Sequence, residues 1–166
     1  RDFQRETSMG NESSITLVGT GDTRALSLPK YKLSNNGKYG YVAQFRIPAS
    51  LTMATGLTFK LYLTDDGANA NDPGKKVNIG VTVKRLAADE TTDIDTAAGT
   101  EQTVSVTLSS VAGGVAIGSL AIASANLDSA AVGDLVLIRL RRVGTDAVND
   151  TCQGRALLLG VSVQNT

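Results

Sequence analysis

Leu57-Thr58-Phe59-Lys60-Leu61-Tyr62-Leu63-Thr64, with Val77-Asn78-Ile79-Gly80-Val81-Thr82-Val83-Lys84 further on, decides the fold class. In each stretch a large apolar residue recurs at every second position, with polar or small residues between. Successive side chains of a β-strand point to opposite faces, so each stretch reads as a strand with one buried and one solvated face.

The same alternation extends in both directions. Tyr39, Tyr41, Ala43, Phe45 and Ile47 share a face opposite Gln44 and Arg46, and Pro48 closes that strand. Val104, Val106 and Leu108 alternate with Ser105 and Thr107. Val136, Ile138 and Leu140 alternate with Leu137, Arg139 and Arg141. Leu157, Leu159, Val161 and Val163 alternate with Leu158, Gly160 and Ser162. The apolar stretch Val115–Ala123 is interrupted by Gly118, which predicts a bulge or kink there. Ile15–Val18 and Ala25–Leu28 are short candidate strands around the turn Gly19-Thr20-Gly21-Asp22. Ser34-Asn35-Asn36-Gly37 is a turn, and Ser124–Val132 has room for one or two helical turns.

This pattern is that of an all-β chain folded as an antiparallel β-sandwich. The long connections Thr64–Lys76 and Ala87–Glu101 suit Greek-key crossings, so jelly-roll topology is expected. Residues 1–14, RDFQRETSMGNESS, are polar and aperiodic and read as an extended N-terminal arm, either a frayed terminus or an arm that orders only against a partner. Residues 15–166 form the single jelly-roll domain.

Composition narrows the function. Hydrophobic residues make up 42% and charged residues 19%, which describes a packed domain rather than a disordered one. Sixteen Lys and Arg balance sixteen Asp and Glu. Nucleic-acid binders carry a basic excess or stripe, so no nucleic-acid partner is expected. No apolar run is long enough to span a bilayer, so no membrane association is expected either. Cys152 is the only cysteine and leaves no internal disulfide. A nucleophilic cysteine needs a base, usually histidine, and the chain has none. Cys152 therefore reads as a small core residue beside the strand Ala156–Val163.

Several clusters carry chemistry on paper. Asp65, Asp66, Asn69, Asn71 and Asp72 crowd one loop before Pro73-Gly74. Such oxygens suit Ca²⁺, but their spacing departs from the EF-hand and equally describes an ordinary turn-rich loop. Asp89, Glu90, Asp93, Asp95 and Glu101 form a second acidic loop, without the opposed pair that glycoside hydrolysis needs. Arg139, Arg141 and Arg142, with Lys84 and Arg85, offer basic groups either to a partner's carboxylates or to cross-strand pairing within the sheet. Tyr31, Tyr39 and Tyr41 lie close together, but with four Tyr, three Phe and no Trp the chain is poor in sugar-stacking platforms. There is no P-loop, zinc spacing or nucleophile elbow. No catalytic residue, cofactor or metal site is expected, and the chain reads as a non-enzyme.

Gly133-Asp134-Leu135-Val136-Leu137-Ile138-Arg139-Leu140-Arg141-Arg142, then Gly144-Thr145-Asp146, Asn149-Asp150-Thr151 and the closing strand Ala156–Val163, resemble the last strand pair of jelly-roll domains in tailed-bacteriophage virion proteins. Phe45-Arg46-Ile47-Pro48 with the strands Leu57–Leu63 and Val77–Val83 is similar to the same domains, so the resemblance spans roughly residues 39–163. Such modules occur in capsid decoration (cement) proteins and in tail or fibre proteins that bind a host receptor or glycan. One sandwich with one arm is more like a cement protein. The resemblance then implies a homotrimer, made in the host cytoplasm, that bridges major capsid protein subunits on the virion surface and has no catalytic residues. The expected contacts are Arg1, Asp2, Phe3, Arg5 and Met9 of the arm, Arg139 and Arg141 of the strand, and loops at one end of the sandwich.

Overall fold

The structure is a computed structural model and describes residues 4–5, 26–28, 41–65, 67, 69–86 and 99–166. The described residues form strands β1 (Gln4–Arg5), β2 (Leu26–Leu28), β3 (Tyr41–Arg46), β4 (Leu57–Asp65), β5 (Lys76–Leu86), β6 (Gln102–Thr107), β7 (Ala116–Ile122), β8 (Leu135–Arg142) and β9 (Ala156–Asn165). They pair antiparallel in two sheets. One has the long strands β3-β8-β5-β6, with the two-residue β1 added beyond β3. The other is β9-β4-β7, with the three-residue β2 beyond β9. Only single 3-10 turns, at Met53–Thr55 and Ser124–Asn126, interrupt the strands, and no described helix is long and apolar enough to cross a membrane.

The alternating apolar residues of β4 and β5 form the core. Leu57, Phe59, Leu61 and Leu63 of β4 face Val77, Ile79, Val81 and Val83 of β5 across the sandwich, all at most 2% exposed. Val136, Ile138 and Leu140 of β8, with Leu120 and Ile122 of β7, complete the layer between the sheets. The outer face of β5 departs from the expected solvated face. Asn78, Gly80 and Lys84 are also buried there; Asp146 of the β8–β9 loop lies over Asn78 and Glu101 over Gly80.

Three further expectations are corrected. Gly118 makes neither bulge nor kink, since β7 pairs with β4 in unbroken register from Leu57↔Ile122 to Leu63↔Ala116. The glycine is required for a different reason: a Cβ there would collide with Val106 Cγ2 of β6, where the two sheets' edge strands close together. The bulge lies instead between β4 and β9, at Tyr62/Leu63. It reverses the parity of β9, so Leu158 enters the core and Leu159, expected inside, is 38% exposed. The Ala87–Glu101 connection makes no crossing, because β5 and β6 are neighbours in one sheet, whereas the β4–β5 connection does change sheets.

Of the expected arm, Gln4–Arg5 pairs with Val42 and Tyr41 as a sheet strand. Arg1, Asp2, Phe3 and Met9, the strand Ile15–Val18, Tyr31, Tyr39 and the turn at Ser34–Gly37 lie outside the described residues. The chain's end is fixed: Asn165 accepts a hydrogen bond from Thr52 N at 2.6 Å and donates one to Ser50 O at 3.3 Å.

Gly118→Ala is expected to destabilise the protein by about 1–3 kcal/mol through overpacking. Val106→Ala in the same chain should restore part of that loss, as read by urea unfolding.

Candidate functional site: a clamped loop end

Period two carries more than the core. Continuing β4 inward past Leu63 arrives at Asp65, and continuing β8 past Leu140 arrives at Arg142. Charged residues therefore stand at core-facing positions at the same end of the sandwich. Burying a charge is costly unless it is paired or well hydrogen-bonded: Arg142 is ion-paired, and Asp65 is held by backbone amides. Arg142 and Asp150, with side chains 2% and 0% exposed, form a bidentate pair. Arg142 Nε donates to Asp150 Oδ2 at 2.7 Å and Nη2 to Oδ1 at 2.6 Å. The other edge of the guanidinium donates to the Cys152 and Gly154 carbonyls, each at 2.7 Å. Asp150 Oδ2 also accepts Asn78 N of β5 at 3.3 Å.

Two more buried carboxylates join the loops at this end. Asp65, 3% exposed, accepts Gly67 N at 2.8 Å and Gly113 N at 3.2 Å, tying the β4–β5 loop to the β6–β7 loop. Asp72, 1% exposed, accepts Gln153 N and Gly154 N, both at 2.8 Å, tying the β4–β5 loop to the β8–β9 loop. Backbone bonds reinforce the joints: Gly74 N donates to Ser109 O, Leu108 N to Lys75 O, and both Thr151 N and Cys152 N to Lys76 O. Three loops are thus held as one surface.

Asp146 shapes the β8–β9 loop from within. Its carboxylate accepts Val148 N, Asn149 N, Asn149 Nδ2 and Asn78 Nδ2. Bonds from Asn149, chiefly its side chain, hold the Asp146 carboxyl below the usual carboxylate range. The loop so shaped projects Val148, 75% exposed, and the β6–β7 loop projects Val111, 68% exposed. These are the most exposed large hydrophobic residues among those described.

Cys152 is fully buried in the core cluster, and burial pushes its thiol up, away from the reactive thiolate. Asp65 and Asp72 of the first acidic loop are occupied by amides. Among the described residues no group of three or more His, Cys, Asp or Glu is placed to hold a metal ion. Of the second acidic loop only Glu101 is described, and it is not a solvated loop residue. It lies across Gly80 of β5, whose missing Cβ would sit 2.7 Å from Glu101 Cδ, and takes a bidentate pair from Arg141. That pairing raises the Arg141 guanidinium above its ordinary value. Arg139, half-buried on the same strand, has Val42 and Thr82 as cross-strand neighbours. At the opposite end, Arg85 Nε lies 2.8 Å from Asp134 Oδ2 as an ion pair too poorly aligned to count as a hydrogen bond.

The arrangement holds three loops as one organised surface. Comparison of the chain with family models, curated proteins and solved structures found no match.

Asp150→Ala, which leaves the buried Arg142 guanidinium without its counter-charge, is expected to cost about 3–5 kcal/mol of stability, measured by chemical denaturation. Because the carboxyl of Asp146 is held low, its contribution is present above the usual carboxylate range and lost as pH falls through the lowered value. Asp146→Asn should therefore unfold at lower temperature than the parent at neutral pH, with the gap closing on acidification in a thermal series.

Proposed function

We propose that the chain is a non-catalytic jelly-roll protein of a tailed-phage virion, decorating the head by gripping neighbouring major capsid protein subunits. The strand pairs support the jelly roll. β2 pairs with β9, β3 with β8, β4 with β7 and β5 with β6. That is the pairing of one long hairpin closed at β5–β6 and rolled up, so that every connection from β2 to β9 except β5–β6 changes sheet.

The observation that carries the functional reading is the clamped loop end. Three buried carboxylates and a buried arginine hold loops whose tips present Val111 and Val148 to the outside. Rigid loops bearing exposed apolar tips bind with little ordering cost, since the entropy of fixing them is already spent on folding. The ionisable groups of this end are engaged by amides and ion pairs and are not arranged as acid, base or nucleophile. Binding the assembled shell but not free subunits stabilises the shell by linkage.

Purified virions should contain the chain in near-stoichiometric ratio to the major capsid protein. Its absence from virions, or its confinement to tails in a few copies, overturns the reading. Val148→Glu is expected to weaken binding to capsids by about tenfold or more without altering the fold. Deletion of Arg1–Ser14 should lower capsid affinity while the sandwich stays folded.

A further inference from the structure

From Gln102 to Leu127 the chain carries no Asp, Glu, Lys or Arg, the flanking charges being Glu101 and Asp128. This stretch is one flank of the sandwich: β6, the edge strand of one sheet, the loop after it, and β7, the edge strand of the other. Among the described residues β6 pairs only with β5, and β7 only with β4. Edge strands present unpaired N–H and C=O groups, and proteins that stay monomeric blunt them with charges, prolines or bulges. β7 has none of these, being Ala116-Ile117-Gly118-Ser119-Leu120-Ala121-Ile122 in unshifted register with its neighbour. Ile117 of the strand and Val115 just before it, at 59% and 56% exposure, turn apolar side chains outward.

We propose that β7 is the joining strand of a two-fold homodimer, pairing antiparallel with β7 of a second copy about Ser119 so that the sheet runs on through both subunits. The strand is self-complementary in the register that uses its full length. Reversed upon itself about Ser119, it sets Ala116 opposite Ile122 of the partner subunit, Ile117 opposite Ala121 of the partner subunit, and Gly118 opposite Leu120 of the partner subunit. Each of these pairs joins a small residue to a large one, on both faces of the sheet, which suits the close approach of cross-strand side chains. A two-fold axis makes the interface isologous, so one strand supplies both halves.

Charge selects the occupant. A charged partner strand would lose hydration against β6 and β7 and find no counter-charge on either strand, Lys60 standing behind Ser119 on β4. The same flank of a second copy is equally free of charge on both sheets, because β6 lies beside β7, with Val106 packed against Gly118. The inference does not rest on the virion reading and goes beyond it. A two-fold β7 pair also closes at two subunits rather than at the three that the family resemblance implies.

The test is sedimentation equilibrium of the full chain. The parent is expected to be dimeric at about 100 µM. Ser119 is exposed, so Ser119→Lys should keep the parent's circular dichroism, with a small fall in melting temperature from the like charge of Lys60 opposite it on β4. It should nevertheless raise the dimer Kd at least about tenfold, because two like charges would meet at the axis. Ser119→Cys should give a disulfide-linked dimer on mild oxidation, while Lys60→Cys, one strand further in, should not. A monomeric or trimeric parent at that concentration, or a dimer whose Kd is unchanged in Ser119→Lys, overturns the proposal. If Ser119→Lys fails to fold, the linking yields of the two cysteine variants decide it.

Discussion

The organisation of this protein turns on a guanidinium and a carboxylate placed where a hydrophobic pair would be expected. Arg142 stands at the inward end of β8 and Asp150 in the loop that follows, and each loses its water on folding. An isolated buried ion pair is at best a break-even arrangement against apolar packing. Here the guanidinium also binds the Cys152 and Gly154 carbonyls, which apolar side chains could not do. The fork shape matters, because a lysine could not reach the carboxylate and two carbonyls in fixed directions. With the segment 150–154 held in this way, its amides are presented to Asp72, and through Asp72 the neighbouring loop is fixed in turn. Order spreads outward from the pair, loop by loop.

Much of the fold was legible because a two-residue period is local. The core rows of β4, β5 and β8 lie where alternation places them. What escaped was set by contacts distant in sequence. Gly118 is an interruption in an apolar run on paper, and only the approach of Val106 from the other sheet shows that it makes room. The β4–β9 bulge turns Leu159 outward beside Gly160, a glycine within the strand that could have marked it as Gly118 falsely did in β7. Glu101 belongs by composition to an acidic loop, yet its partner Arg141 lies two strands away, across a glycine. The clamp residues did leave a signal that went unused. Extending the buried row by one step puts Asp65 after Leu63 and Arg142 after Leu140, and a charge at a core-facing position requires a partner.

The distribution of polarity is inverted at the places that matter. Carboxylates and an arginine lie inside one end of the sandwich, while valines occupy its loop tips and a long uncharged flank runs along one side. Isolated apolar side chains on a surface are unremarkable in any protein. Two exposed valines on loops held rigid from below are a different matter, because such loops neither collapse onto the apolar groups nor bury them. The chain spends its internal polar bonds on keeping these groups outside.

The anchoring of the last strand has a mechanical consequence. β9 begins at the clamped end, paired with Asp65, and finishes at the opposite end, where Asn165 is bonded to Ser50 and Thr52. A pull on the C-terminus against the clamped loops acts along β9, parallel to the strand and perpendicular to its ladder of bonds to β4. In that direction the bonds are strained together in shear rather than opened one after another like a zip. Tension applied between a surface gripped by the loops and anything joined to the C-terminus would meet the domain along its stiffest axis.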